Sequence, residues 1–280
     1  MLQIPDVIVS ADWLAEHLNH QDLIVLDATL PKVTESKQKE MAFKGVIPNS
    51  IFFDIKGVFS DAKAQFPNTM LSIENFEIQV QKLGICQDSC IVVYDDHGVY
   101  SSPRAWFMFQ SVGFKNIAVL DGGLPAWIKR GNQVALHHQT APKEGNFMVK
   151  SSENIFYNSK QVLESVISND RIIIDARSEK RFLGAAPEPR VGVRSGHIPS
   201  SKNLPYSYLL SANQLKSKEA LTVLYKNINS ENRSMIFSCG TGITACVLAL
   251  GAGVAGYKDF VVYDGSWTEW GSIQELPIEI

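Results

Sequence analysis

No apolar run in the 280 residues approaches the ~20 that a membrane span needs. The N-terminus, Met1-Leu2-Gln3-Ile4-Pro5-Asp6, has no basic stretch followed by an apolar one. No secretory leader is read there, and a cytoplasmic protein is expected. Positive charge is not in excess: the net charge is −3, which removes the bulk electrostatic case for nucleic acid or an anionic membrane as partner. Cysteine is scarce, with four residues at 86, 90, 239 and 246 and no pair at zinc-site or redox-dithiol spacing. Cys90 opens an apolar run and reads as a small buried hydrophobe. Cys246, two helical turns past Cys239, reads as core. A reducing compartment with one reactive thiol fits this usage. Histidine is absent between residues 21 and 96. The adjacent His137 and His138 lie in a polar stretch and read as solvated rather than metal-binding.

What is present repeats. The length suits two ordinary domains, and 45% apolar with 20% charged residues is a soluble globular composition. Asp22-Leu23-Ile24-Val25-Leu26-Asp27-Ala28 recurs as Asp170-Arg171-Ile172-Ile173-Ile174-Asp175-Ala176. Gly45-Val46-Ile47-Pro48 recurs as Gly196-His197-Ile198-Pro199, and Asp121-Gly122-Gly123 as Asp264-Gly265-Ser266. The offsets are 148, 151 and 143 residues, in preserved order, which indicates duplicated domains rather than a solenoid. Apolar runs at 23–28, 90–95, 117–121, 172–176, 234–238 and 260–264 read as buried parallel strands. Segments 10–19 (with Ser10 as N-cap), 73–83, 101–112, 158–168 and 243–254 read as helices. Each half is therefore expected to be a doubly wound α/β domain, with a mostly parallel sheet and helices on both faces. The expected boundaries are 1–135, a linker at 136–153, and 154–280; the polar stretch 132–153 marks the join.

The most reactive place is the turn after the strand at 234–238. Cys239-Gly240-Thr241-Gly242-Ile243-Thr244 joins that strand to a helix. Gly240 and Gly242 let successive amides point at one spot, closed by a helix N-terminus. A negative sulfur there is stabilised, so the Cys239 pKa is expected below the free value of about 8.5. The plain alternative is a core cysteine beside glycines that merely turn the chain. A cysteine phosphatase would carry an arginine six residues on, in a Cys-x5-Arg loop, where Ala245 stands. The loop holds no Lys or Arg and is poorly equipped for a phosphate dianion.

In the first half, Asp95-Asp96-His97-Gly98 replaces this turn, with Asp95 at the place of the thiol. Two carboxylates repel an anion, so that half is expected to be chemically silent and to wall one side of a cleft.

Together these residues resemble the two-domain rhodanese-like sulfurtransferases, over nearly the whole chain. Within that group the Cys239 loop is similar to the Cys-Gly-Ser/Thr-Gly-Val/Ile-Thr loop of the 3-mercaptopyruvate sulfurtransferases. Thiosulfate-using members resemble Cys-Arg-Lys-Gly-Val-Thr instead, with cations inside the loop. Residues 181–190, Arg-Phe-Leu-Gly-Ala-Ala-Pro-Glu-Pro-Arg, resemble the group's substrate-binding stretch. The resemblance assigns Arg181 and Arg190 to the carboxylate and keto oxygens of an α-keto acid, and paired guanidinium groups suit that clamp. Arg177 and Arg194 read as structural ion-pairing residues, His197 as part of a structural turn, and the 264–267 element as shaping the cleft. A proton-handling triad does not carry over. The hydroxyl position is Thr241, but the histidine position falls on Thr69 and the aspartate position on Lys56. Val46 replaces the histidine of the first Gly-His-Ile-Pro element.

The resemblance implies covalent sulfur transfer. Cys239 takes the sulfur of 3-mercaptopyruvate as a persulfide, with Thr241 and Thr244 hydroxyls and the amides of Gly240, Gly242 and Ile243 around it, and releases pyruvate. A small thiol or reduced thioredoxin then removes the sulfur. No metal or organic cofactor is implied. The rivals are thiosulfate sulfur transfer and a non-catalytic persulfide carrier, which has no need of the Arg181/Arg190 clamp.

Overall fold

Parallel strands with uninterrupted apolar side chains need cover on both faces, and both halves of the chain meet that need in the same way. The computed structural model describes residues 1–32, 45–150 and 155–280. It divides into two compact units: Met1–Asp61 with Met70–Glu153 and Ala212–Gln214, and Ala62–Thr69 with Asn154–Ser211 and Leu215–Ile280.

The first unit holds β1 (Ile8–Val9), α1 (Ala11–His17), β2 (Leu23–Asp27), β3 (Ser50–Phe52), α2 (Ile73–Lys82), β4 (Cys90–Tyr94), α3 (Ser102–Ser111), β5 (Ile117–Leu120) and α4 (Gly123–Lys129). Its sheet runs β1-β5-β4-β2-β3, and every pairing is parallel. Every residue of β4 and β5 is buried, as their unbroken Val and Ile runs require. Ser10 caps α1 by accepting the Trp13 amide, as its sequence position indicates.

The second unit holds β6 (Phe156–Tyr157), α5 (Ser159–Ser168), β7 (Arg171–Asp175), α6 (Glu179–Phe182), β8 (Lys202–Asn203), β9 (Leu210–Ser211), α7 (Lys218–Ile228), β11 (Ser234–Ser238), α8 (Ala245–Val254), β12 (Phe260–Tyr263) and α9 (Ser266–Ser272), while the two-residue β10 (Gln214–Leu215) falls at the division of the chain between the units. Its main sheet, β6-β12-β11-β7-β8, is again wholly parallel and has the order of the first. The helix α8 is apolar around its whole circumference and correspondingly buried. Asn158 and Gln161 form a reciprocal capping box at the start of α5.

Two segments depart from the expected boundaries. Residues 62–69 belong to the second unit although they precede α2. The segment expected as a linker is strapped to the first unit as far as it is described. Gly145 donates to the Gln81 carbonyl, Phe147 is buried and donates to Ile85, and Val149 donates to Glu77. One aromatic side chain in a polar stretch is enough to anchor it. Residues 151–153 of that expected linker lie outside the described residues. His138 is not simply solvated either: its Nε2 lies 2.9 Å from Asp27 Oδ2, and its ring packs against Phe52.

Candidate active site

The central strand β11 ends at Ser238, and α8 begins at Ala245. The six residues between them make the turn that the sequence singles out. Cys239 is only 2% exposed, Thr241 is buried, and Gly242 takes a φ of +76° that favours glycine. Among the described residues, no protein acceptor takes the amides of Gly240, Thr241, Ile243 and Thr244. Unengaged N–H groups at the start of a helix are donors of the kind that can receive an anion.

The turn is held from three sides. Trp267 and Thr268, at the start of α9, donate their amides to the carbonyls of Cys239 and Gly240. Asn68 Nδ2 lies 3.5 Å from the Thr241 carbonyl. The Ser266 hydroxyl accepts the amides of both Cys239 and Gly242 at 3.1 Å. The expected nest is thus smaller by one donor, since the Gly242 amide is directed at Ser266. Ser266 lies 3.9 Å from Cys239 Sγ and is fully buried at a φ of +50°. A side chain in that left-handed region costs about 1–2 kcal/mol. Cys246 Sγ donates to the Gly242 carbonyl at 3.2 Å, which makes it a support of the turn from within the core.

Arg181 brings positive charge to the edge of this turn. Its Nη2 is 3.3 Å from the place a Cβ on Gly240 would occupy, a close contact that a larger residue would meet only by shifting the guanidinium a few tenths of an ångström. Glu188 holds Arg181 by two contacts, Nε to Oε1 at 3.2 Å and Nη2 to Oε2 at 2.5 Å. Glu188 also accepts from Arg177 at 2.8 Å, while Arg177 pairs with Asp175 and stacks over Trp267 at 4.4 Å. Burial opposes the charge on Arg177, but Asp175 and Glu188 outweigh it and raise its pKa above the ordinary value. Arg177 is therefore a structural ion-pairing residue. Arg194 is structural by a different route: it caps carbonyls of Trp270, Gly271, Ile273 and Leu276 rather than pairing with a carboxylate. Arg190 is half-buried on the same 181–190 stretch. His197 stacks on Phe182 and hydrogen-bonds its carbonyl, in keeping with a structural turn. Thr69 donates its hydroxyl to Phe66, and Lys56 is exposed. A cavity of about 310 Å³ beside the 264–265 turn is lined by Phe66, Thr69, Tyr157, Asp264 and Glu269, without Cys239 or Arg181.

Two residues escape a reading of the sequence. Glu188 sits between two prolines and looks like surface charge, yet it organises both arginines. Ser266 stands where the first half has Gly123, and that exchange is the signal that marks it.

The first unit shows what the same turn becomes without a thiol. Asp95 follows β4 and is fully buried. Its Oδ2 accepts the amides of Tyr100, Ser101 and Ser102 and the Ser102 hydroxyl, all within 3.0 Å. Its Oδ1 accepts the His97 amide at 3.0 Å. The carboxylate does not face outward to repel an anion. It fills the anion nest itself.

This duplicated five-stranded architecture defines a tandem α/β protein in which only the second half carries a cysteine at the turn after its central strand. Residues 10–130 and 159–273 match the rhodanese-like domain, and the chain belongs to that family. It is 33% identical to the 3-mercaptopyruvate sulfurtransferase of Escherichia coli K12, with 97% of each chain covered. It is 37% identical to the mitochondrial thiosulfate/3-mercaptopyruvate sulfurtransferase 1 of Arabidopsis thaliana, over 97% of this chain and 78% of that one. The crystal structure of SseA from Escherichia coli, a 3-mercaptopyruvate sulfotransferase by its description, superposes with a TM-score of 0.81 at 31% identity, covering 94% of this chain and 99% of that one. Among the described residues, no helix is long and apolar enough to cross a membrane.

Proposed function

We propose that the protein transfers sulfur from 3-mercaptopyruvate to a thiol through a persulfide on Cys239. The observation that carries this reading is Arg181 against Gly240, at the edge of a turn that has no charge of its own. One guanidinium, already half-neutralised by Glu188, suits a monocarboxylate better than a dianion. Arg190, on the same stretch, is assigned the second contact to the α-keto acid.

In the first half-reaction the Cys239 thiolate attacks the substrate sulfur. An S–S bond forms, the C–S bond breaks, and its electron pair leaves with carbon as pyruvate enolate. A proton added at that carbon gives pyruvate. The persulfide's outer sulfur sits among the amides of Gly240, Thr241, Ile243 and Thr244, with the Thr241 and Thr244 hydroxyls in support. Fixed donors of this kind stabilise developing charge without reorganisation. In the second half-reaction an acceptor thiolate attacks the outer sulfur, forms its own persulfide and returns Cys239 as thiolate. A small thiol or reduced thioredoxin fits that role. The four cysteines form no disulfide, which suits a reducing, cytoplasmic setting.

The test is a direct comparison of donors. Pyruvate release from 3-mercaptopyruvate is expected to exceed thiocyanate formation from thiosulfate by at least tenfold in kcat/KM. Preference for thiosulfate would overturn the assignment of the donor.

A further inference from the structure

We infer that Ser266 is a positioning residue for the sulfur chemistry, with a hydroxyl that turns its single proton from the Tyr263 carbonyl to the Cys239 sulfur when that sulfur is anionic. The inference rests on the sulfur-transfer reading of Cys239 and adds a residue to it.

Four observations converge on Ser266. It is fully buried. Its oxygen already accepts two amides, those of Cys239 and Gly242, each at 3.1 Å, so the oxygen cannot move without releasing the turn. Its one proton has two candidate acceptors: the Tyr263 carbonyl at 2.8 Å and Cys239 Sγ at 3.9 Å. Its backbone lies at a φ of +50°, where glycine is the least strained residue. The repeat supplies the comparison. Gly123 holds the matching place in the first unit at a φ of +51°, and a Cβ there would lie 2.2 Å from the Asp95 carbonyl. The half whose turn has no cysteine uses glycine. The half with Cys239 in its turn keeps a strained serine.

The proton's choice follows from charge. Against a neutral thiol, the nearer carbonyl is the better acceptor. Against a thiolate, rotation of the hydroxyl about the serine Cβ–Oγ bond replaces a neutral hydrogen bond with a charge-assisted one and leaves the oxygen in place. Cys239 is a thiolate twice in each cycle, as nucleophile in the first half-reaction and as leaving group in the second. Both moments gain from the same hydroxyl. No covalent bond to Ser266 is involved, and no proton leaves it.

Other charges act on the same sulfur and must be kept constant in any test. Arg181 lies against Gly240, with Glu188 behind it. Arg177 stacks on the Trp267 ring and pairs with Asp175. Asp264 and Glu269 flank the serine along its own segment, and Cys246 supports the turn from α8. None of these is altered by substitution at 266.

The experiment uses the full chain with Ser266→Gly, which relieves the backbone, and Ser266→Ala, which keeps the Cβ. Cys239 alkylation by iodoacetamide is followed against pH by peptide mapping. In both variants the midpoint is expected to rise by about one pH unit, an about tenfold smaller thiolate fraction at neutral pH. kcat with 3-mercaptopyruvate is expected to fall about tenfold, with KM changed less than twofold. A folded Ser266→Gly protein with the wild-type alkylation midpoint would overturn the inference and leave Ser266 a purely structural cap. Wild-type protein that fails to release pyruvate would instead sink the donor assignment, and the alkylation result would still decide the role of Ser266.

Discussion

The guanidinium of Arg181 rests against Gly240, with Nη2 3.3 Å from the position of an absent Cβ. The contact ties the proposed substrate clamp to the turn that carries the thiol. Gly240→Ala is expected to displace Arg181 by a few tenths of an ångström and lower kcat/KM for 3-mercaptopyruvate several-fold. Arg181→Ala or Arg190→Ala is expected to remove about 1.5–3 kcal/mol, a roughly tenfold to hundredfold loss. Arg181→Lys recovers only part, since the fork geometry is lost. The check is steady-state kinetics with 3-mercaptopyruvate and with a donor lacking a carboxylate. Equal losses for both donors would count against a carboxylate clamp.

Asp95 predicts a stability effect in the half whose turn has no cysteine. Its buried carboxylate gathers four amides and one hydroxyl. Asp95→Asn puts an amide donor where only an acceptor fits, and is expected to cost about 2–4 kcal/mol, in the range for a lost charge-assisted hydrogen bond and an unsatisfied buried group. Denaturant unfolding measures it. Unchanged stability would mean the nest tolerates an empty or mismatched centre.

Cys90 gives a pH signature. Burial, and after it the charge of Asp22, push its thiol from about 9 up to about 11. The folded chain therefore keeps a proton that the unfolded chain releases above about pH 9. Stability is fully present below that value and falls as pH rises from about 9 to about 11. Cys90→Ala removes this component, so the wild-type loss of stability across that window is expected to be steeper than the variant's. Parallel pH profiles would refute it.

Much of the fold is legible in the sequence because the sheets are parallel and buried. Continuous Val and Ile runs at 90–94 and 172–174 admit no other placement, and the observed strands Cys90–Tyr94 and Arg171–Asp175 follow them. Edge strands such as Ile8–Val9 and Lys202–Asn203 are two residues long and leave no periodic pattern. The helix Ser266–Ser272 was hidden behind a motif that reads as a turn, and Lys218–Ile228 behind its mixed polar face. At the site, the thiol and its glycines are local features and can be read from spacing. Glu188 and Ser266 are not, because their meaning lies in partners 7 to 27 residues away. The boundary at 62–69 is invisible for the same reason: its packing partners are far along the chain.

The most direct test of the central claim is a single dose of 3-mercaptopyruvate without any acceptor. Intact mass is expected to rise by about the mass of one sulfur atom, with peptide mapping placing it on Cys239 and one equivalent of pyruvate released. Cys239→Ser is expected to show neither. A thiol or cyanide then restores the original mass. Rapid turnover with no trapped adduct under any acceptor-free condition, or an adduct on another cysteine, would contradict the account.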